Sequence, residues 1–559
     1  MPRIPLLGAL LAIIIGTYLL ALSIPVMDED ASQYAAMSWE MATSKSFLQV
    51  YEQGQDYLDK PPFLFWINSI FMLVLGGHTW VYKLPSLLFL LLGIRATFLL
   101  GKQLYNETIA WHSALFLASF QAIFLITNDV RTDTILLSFT VMAIQQLHVY
   151  FTRKSITHFF MGCVCVAGAM LTKGPVGLLI PVLALGSDVV LKKQWQFLWR
   201  PVYLLGLLLI ALLLLPMSIG LYQQFDLHPE KIVNSGLGET QSQVSGLRFY
   251  YWTQSFGRLT GESKWNNGAY FSFLFENLLW GLLPFTIFFI AGLGSNIVSF
   301  IRQKGKLLPT QEAITTGGFI LAYILLGKSK YQLPHYIYVV LPLIAIITAK
   351  NFVQVVYTSQ TNKLFTILRG IQWGINVILI AVATSLVAFS FPHVWVWVLS
   401  IGVLGILVIV YLIAKPIKYS LVAASIVAIV TTNILLSGFF YPNILQYQAG
   451  NVVGKFIQQQ SIPTQKVIVF QEPFSVRNIH FYAKAPITRV QELPTEIPSY
   501  ILTGTKGLNV IQQRKIPYQI LLTGTTFHIT ELTAPFLNPA TRSSVCEPFY
   551  FVKTTATVP

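Results

Sequence analysis

The sequence predicts a polytopic α-helical membrane protein with a small α/β domain at its C-terminal end. Only 11% of its residues are charged against 54% hydrophobic, and mean hydropathy is +0.62, whereas soluble globular domains carry roughly 25% charged residues. Apolar runs of about 20 residues, each long enough to cross a bilayer core of about 30 Å, recur along most of the chain. After Phe440 the pattern changes to short β-like runs alternating with helix-like stretches.

The first run, Ile4–Pro25, lacks the small-residue cleavage pattern of a signal peptide and leads straight into an acidic stretch. Further spans are predicted at Trp80–Leu100, Ile109–Thr127, Thr134–Phe151, His158–Leu171, Val176–Leu191 and Val202–Leu221. Others follow at Phe273–Val298, Ala313–Leu326, Ile337–Ala349, Ile371–Phe389, Val394–Ala414 and Tyr419–Phe440. The run Phe63–Leu75, at about 13 residues, falls in the range of interfacial or buried helices. Parity favours the interfacial reading. If this run does not cross, the basic loops G-K-Q-L-Y-N-E, R-K-S, L-K-K-Q-W-Q-F-L-W-R, I-R-Q-K-G-K and A-K-P-I-K all fall on one side, as the positive-inside rule expects. The count is then about thirteen spans, with the N-terminus cytoplasmic and everything after Phe440 outside.

The domain reading is therefore 1–440 in the membrane and 441–559 as an α/β domain outside it. In the latter, Lys466–Phe470, Ile487–Val490, Tyr500–Leu502 and Gln519–Leu522 read as strands and Asn451–Gln460 as a helix. The net charge of +15 does not call for nucleic acid, because cytoplasmic loops of membrane proteins collect Lys and Arg. Cys163 and Cys165 lie inside an apolar run and Cys546 stands alone, so neither a disulfide framework nor a thiolate zinc site follows.

The unusual residues gather on the outer side. Of 22 acidic residues, seven lie between Asp28 and Asp59: Asp28, Glu29, Asp30, Glu40, Glu52, Asp56 and Asp59. That density exceeds what keeping a membrane loop in water requires. The other outer segments are Asn128–Asp133 (N-D-V-R-T-D), Thr172–Pro175 (T-K-G-P), the long loop Gln223–Tyr270, and Gly327–Tyr336. Carboxylates beside cations at a membrane face suggest a reaction on a phosphorylated lipid. Asp30 and Asp133 are candidate bases or metal ligands, and Lys60, Arg258 and Lys330 candidate phosphate ligands. Lys60 precedes two prolines, which fix φ and offer no N–H, so it stands at a rigid helix start.

Each has a plainer reading. Lys60 could be a snorkelling lysine, Asp133 a helix cap, Arg258 a cation near headgroups, and His335, near Lys328, an interfacial aromatic. Trp66, Trp252 and Trp280 read as interfacial belt residues.

These motifs together resemble the C-type integral-membrane glycosyltransferases (the GT-C fold), which use polyprenyl-phosphate sugar donors. Within them the likeness is to the bacterial branch of lipid A aminoarabinose transferases and protein O-mannosyltransferase relatives. The family's first outer loop carries Asp-Glu-x-x-Tyr-Ala…Glu-Met. Matching Tyr34-Ala35 and Glu40-Met41 places Asp30 on the family's Asp and Ala31 on its Glu. That is a departure, and it leaves Asp28 and Glu29 as candidates for the missing carboxylate. Asp59-Lys60-Pro61-Pro62 through Trp66 matches the family's acidic-Lys-Pro-Pro motif. Asp133, Thr172–Pro175 with Lys173, Arg258, and Lys330 through Tyr336 match later ones.

The resemblance covers roughly residues 4–350. It implies interfacial helices in the first outer loop. It also implies inverting transfer of a sugar from a polyprenyl phosphate to a glycolipid or protein acceptor, on the periplasmic side of a bacterial inner membrane. Asp30 is then the expected base, with Asp133 orienting acceptor or metal and Asp28 the alternative. Lys60, Arg258, Lys330 and Tyr336 are expected on the donor phosphate. Tyr34, Glu40, Asp59, Lys173 and His335 are expected to line the acceptor or donor loops. The spacing does not show a cofactor; the candidate is a divalent ion near Asp30, Asp59 and Asp133. A transporter of lipid-linked sugars is the alternative, but its site would lie at the bilayer midplane among intramembrane charges. A scaffold protein would leave the acidic cluster unexplained.

Overall fold

The computed structural model describes residues 4–234, 240–260, 265–308, 310–358, 363–415, 419–471, 476–494 and 499–554. Helix α1 (Ile4–Ala21) leads into the first loop, which holds α2 (Asp30–Ser44), a hairpin of β1 (Tyr51–Glu52) and β2 (Gln55–Asp56), and α3 (Phe63–Leu75). The membrane helices follow: α4 (Thr79–Leu104), α5 (Glu107–Ser119), α6 (Gln121–Asn128), α7 (Thr132–Arg153), α8 (Ile156–Lys173), α9 (Val176–Leu191) and α10 (Val202–Leu221). After a long connection come α11 (Phe273–Gly281), α12 (Thr286–Arg302), α13 (Ile314–Gly327) and α14 (Leu341–Val353). Next are α15 (Lys363–Ser390), α16 (Trp395–Ala414) and α17 (Ser420–Leu435).

Among the described residues, eight helices are long and apolar enough to cross a membrane, and the bent pair α5–α6 makes a ninth. Four shorter apolar helices, α1, α9, α12 and α13, occupy the remaining predicted spans. Helix α3 does not cross. It starts beside Lys60, and the chain re-enters α4 at the same end, where the Tyr82 hydroxyl donates to the Ala31 carbonyl at 2.8 Å. Helices α2, α3 and the start of α4 share their own apolar cluster, built on Tyr34, Phe65, Met72 and Tyr82.

Two predicted spans are broken rather than continuous. Ile109–Thr127 bends by 53° at Phe120, and Phe273–Val298 divides into α11 and α12. The breaks meet, so the Gln121 N–H freed by one donates to the Leu283 carbonyl at the other, at 3.2 Å. In a lipid environment such pairing is what permits an interrupted helix. Elsewhere the bundle packs through small residues: a Cβ on Gly93 of α4 would stand 2.6 Å from Ser138 Oγ of α7, so glycine lets these two helices approach closely.

Beyond α17 the chain builds α18 (Ala449–Gln459), α19 (Asn478–Ala483), α20 (Thr505–Gln513) and one five-stranded sheet. Its strands are β3 (Val467–Phe470), β4 (Thr488–Val490), β5 (Tyr500–Gly504), β6 (Tyr518–Thr526) and β7 (Glu547–Thr554), in the order β4-β3-β5-β7-β6. The first three are parallel, while β7 runs antiparallel to both β5 and β6. Strand β7 was not anticipated; its P-F-Y-F-V run buries Phe549, Phe551 and Val552, as aromatic and β-branched residues do on a pleated surface.

Candidate active site

Helix ends converge on one cleft at the end of the bundle that the first loop covers. Its empty volume, open mouth included, is about 1070 Å³, and its lining includes Asp30, Tyr34, Lys60, Arg131, Asp133, Lys173, His335 and Tyr336. Asp30 and Tyr34 are four residues apart on α2, so they share a helix face. Asp133 enters in the first turn of α7.

Lys173 closes α8, where Gly174 (φ +81°) adopts a conformation that L side chains rarely take and Pro175 starts α9. Lys60 comes from the D-K-P-P turn ahead of α3, with Trp66 N–H bonding the Pro62 carbonyl at 2.9 Å. His335 and Tyr336 lie on the 3₁₀ turn Pro334–Val340 before α14.

The charges are paired, and unequally. Asp133 is almost fully buried, its side chain only 2% exposed. Lys173 Nζ donates to its Oδ1 at 2.5 Å, and His335 Nε2 lies 3.8 Å from its Oδ2. Asp30, at 37% exposure, pairs with the Arg131 guanidinium and keeps a face toward the cleft. Arg131 also donates through Nε to Asp129 at 2.6 Å. Burial opposes the Arg131 charge, but Asp129 and Asp30 together hold the guanidinium still more firmly protonated. Burial likewise lowers the Lys60 ammonium, yet the charge and hydrogen bond of Asp59 offset it, leaving its pKa raised. Lys173 also sits over the Tyr336 ring, 4.7 Å from its centroid, a cation–π contact.

The cleft thus holds seven of the sequence-derived candidates: Asp30, Tyr34, Lys60, Asp133, Lys173, His335 and Tyr336. The others lie elsewhere. Asp28 does not line the cleft: its carboxylate is buried and accepts from Ser32 Oγ at 3.1 Å. Glu40 accepts from the N–H groups of Gln53 and Gly54 at 2.7 and 2.8 Å, tying the β1–β2 turn to α2. Asp59 stands behind Lys60 in a neighbouring crevice with Tyr57 and Pro61. Lys330 is exposed and outside the cleft lining, although its neighbour Ser329 lines it. The backbone of Arg258 belongs to the short helix Phe256–Thr260, but its side chain lies outside the described residues.

Trp66 is half-buried and bolts α3 to the loop by donating to the Phe47 carbonyl at 2.5 Å. Trp252 and Trp280 are exposed, as an interfacial reading requires. No group of three His, Cys, Asp or Glu able to hold a metal ion forms among the described residues. Asp30, Asp59 and Asp133 are each engaged by their own cation, a poor fit to a shared divalent ion.

Arg131 is a cleft residue that the sequence reading passed over. The signal was present in N-D-V-R-T-D, where attention went to the acids. Val130 takes φ +51°, rare for a β-branched residue, and this turn carries Asp129 and Arg131 to either side of it.

Comparison with known proteins places these features. The dolichyl-phosphate-mannose-protein mannosyltransferase family matches residues 59–219. An undecaprenyl phosphate-alpha-4-amino-4-deoxy-L-arabinose arabinosyl transferase of Proteus mirabilis is 21% identical over 70% of this chain and 69% of its own. An uncharacterized protein of Aquifex aeolicus is 24% identical over 82% of both chains. In structure, ArnT from Cupriavidus metallidurans, crystallised with undecaprenyl phosphate, superposes with a TM-score of 0.72 at 17% identity, over 93% of this chain and 97% of that one. The fold is that of ArnT. The cleft lies at helix ends and not at mid-span, which disfavours a transporter.

Proposed function

We propose that this polytopic membrane glycosyltransferase of the GT-C fold, which uses a lipid-linked sugar, takes it from a polyprenyl phosphate such as undecaprenyl phosphate. The acceptor is a hydroxyl or phosphate of a glycolipid, or a protein, on the periplasmic side of the inner membrane, and transfer inverts the anomeric centre. The observation that carries the reading is the cleft, where a partly open carboxylate, Asp30, faces Lys60 and Arg131. A phosphate monoester leaves as an anion, so it needs preorganised positive charge and not a proton. Lys60 and Arg131 supply that charge, with Arg258 a further candidate.

When a hydroxyl attacks, its oxygen bonds to the anomeric carbon as the carbon–phosphate-oxygen bond breaks, and the proton passes to Asp30. Arg131 holds the Asp30 carboxylate in place through their ion pair. Asp133, locked by Lys173 and facing His335, orients the acceptor and does not act as base.

The purified protein, given undecaprenyl-phosphate aminoarabinose and lipid A, is expected to produce glycosylated lipid A by mass spectrometry. Envelope glycoproteins from a deletion strain provide the protein arm of the comparison. Failure with every lipid-linked sugar and both acceptor classes would overturn the proposal. Sidedness is read separately, after removal of the native cysteines. Cysteines at Ser44 and Ser329 should react with an impermeant maleimide added outside, and one at Ser155 should not.

A further inference from the structure

The backbone immediately before Asp30 is strained. Glu29 holds φ 74° and ψ −126°, a conformation that for a residue with a side chain costs on the order of 1–3 kcal/mol and persists only when its surroundings impose it. Its carbonyl nevertheless accepts the Gln33 N–H at 3.0 Å, so this residue sets the direction in which α2, and Asp30 with it, begins.

Besides the local bond of Ser32 Oγ to the Glu29 carbonyl at 2.9 Å, contacts to this segment come from the C-terminal domain. The Val26 N–H donates to the Tyr482 hydroxyl at 2.8 Å. The Asn478 backbone N–H favours the charged form of the buried Asp28 carboxylate. Arg477 Nη1 lies 3.8 Å from Glu29 Oε2. About two and a half turns along α2, Trp39 Nε1 donates to the Lys484 carbonyl at 3.0 Å. Behind α19, Asn478 Nδ2 donates to Asn451 Oδ1 of α18 at 2.8 Å, so the clamp is anchored in its own domain. Asp28 sits at the centre of the arrangement: its buried carboxylate accepts from Ser32 Oγ of α2 at 3.1 Å and senses the Asn478 N–H at the start of α19.

We propose that the C-terminal domain positions the catalytic base: α19, acting through Asp28, holds residues 26–29 in the strained backbone that aims Asp30 into the cleft. This rests on Asp30 being the base. Asp28 is thereby a positioning residue that touches no substrate. A misplacement of about 1 Å at a reacting group costs roughly 100-fold in rate, so the clamp should appear in kcat and not in donor binding.

The experiment uses full-length protein with undecaprenyl-phosphate aminoarabinose as donor. Asp28→Ala should lower kcat by about 10- to 100-fold while leaving KM for the donor within about twofold. Asp28→Asn, which keeps an acceptor oxygen, should retain more activity. In an Asp30→Asn background Asp28→Ala should cost nothing further, because a residue acting through Asp30 has nothing left to position. Wild-type kcat in Asp28→Ala, a loss confined to KM, or full additivity with Asp30→Asn would each overturn the inference. Should Asp28→Ala fail to fold, Tyr482→Phe, which removes one hydroxyl, decides by the same split between kcat and KM. If Asp30→Asn itself proves fully active, the reading of the base falls, and amide exchange judges the clamp alone. Asp28→Ala must then speed exchange at Glu29–Gln33 by at least about tenfold, and unchanged exchange sinks it.

Discussion

The two ends of the bundle each hold a cavity with a carboxylate and a lysine, and they use them differently. Helices α9 and α13 run between the two. At the far end, a cavity of about 830 Å³ is lined by Asn296, Glu312 and Lys350 among apolar side chains. There Glu312 accepts from the Tyr105 hydroxyl, from Thr315 Oγ1 at 2.6 Å and from the Thr315 N–H at 2.8 Å. Lys350 donates to Asn296 and lies over the Tyr105 ring.

That carboxylate is committed to starting α13. In the cleft, Lys60, Arg131 and Lys173 pair with the carboxylates of Asp59, of Asp30 and Asp129, and of Asp133, and all three cations line one opening. An anionic ligand there meets oriented positive charge from three sides. The presence of charge near a membrane face is therefore uninformative by itself. What distinguishes a site is that several charged groups converge on one opening.

The sharpest test of the contrast is Asp30. Its replacement by Asn preserves shape and the possibility of a hydrogen bond to Arg131 but removes the proton acceptor. Turnover with a hydroxyl acceptor should fall by about 10²–10⁴-fold, measured with both substrates saturating. Near-normal turnover would reduce Asp30 to a structural partner of Arg131, no different in kind from Glu312.

Next comes Lys60, whose role as phosphate ligand predicts that Lys60→Ala loses about 2–4 kcal/mol of transition-state stabilisation. The protein should still fold, since the D-K-P-P turn keeps both prolines. Unchanged kcat/KM would make it a snorkelling lysine.

A smaller effect concerns Asp28. Burial pushes its carboxyl up to about 6, with Glu29 adding to the rise and Ser32 opposing it. A carboxylate raised above its unfolded value contributes stability that is fully present below pH ~4 and is lost as pH rises through about 6. The loss is on the order of 3 kcal/mol. Urea titrations should therefore show stability declining across that window, and Asp28→Asn should flatten the decline. An unchanged slope in the variant would assign it to another group.

Much of this was legible in the sequence, and the reasons differ by element. Span positions follow from apolar run length, and the parity of basic loops correctly kept Phe63–Leu75 from crossing. The breaks at Phe120 and between α11 and α12 were not legible, because each depends on a backbone partner supplied by the other. Seven of the twelve site candidates reach the cleft because their motifs lie at helix ends on one side. The register of Tyr34 and Glu40-Met41 ranked Asp30 above Asp28, but the burial of Asp28 was not legible, because it comes with the strained backbone at Glu29 and packing that only the fold supplies. Arg131 was missed for a related reason: it pairs with Asp129 nearby and with Asp30, 101 positions away in the chain.

The smallest expected effect completes the comparison. If the far cavity is structural, its charges matter to folding and not to turnover. Glu312→Ala removes the cap on the Thr315 N–H and the acceptor for Tyr105, a loss of about 1–2 kcal/mol in stability. Kcat on a polyprenyl-phosphate sugar should stay within about twofold, because chemistry and donor phosphate lie at the opposite ends of α9 and α13 and no charge there faces the reacting atoms. Lys350→Met should behave likewise, with its stem packed and its ammonium gone. Thermal unfolding and steady-state kinetics on the same preparations separate the two outcomes. A drop of tenfold or more in kcat with stability intact would mean that the two ends are coupled through α13, whose far end begins at Glu312 and whose other end leads to Ser329 and His335.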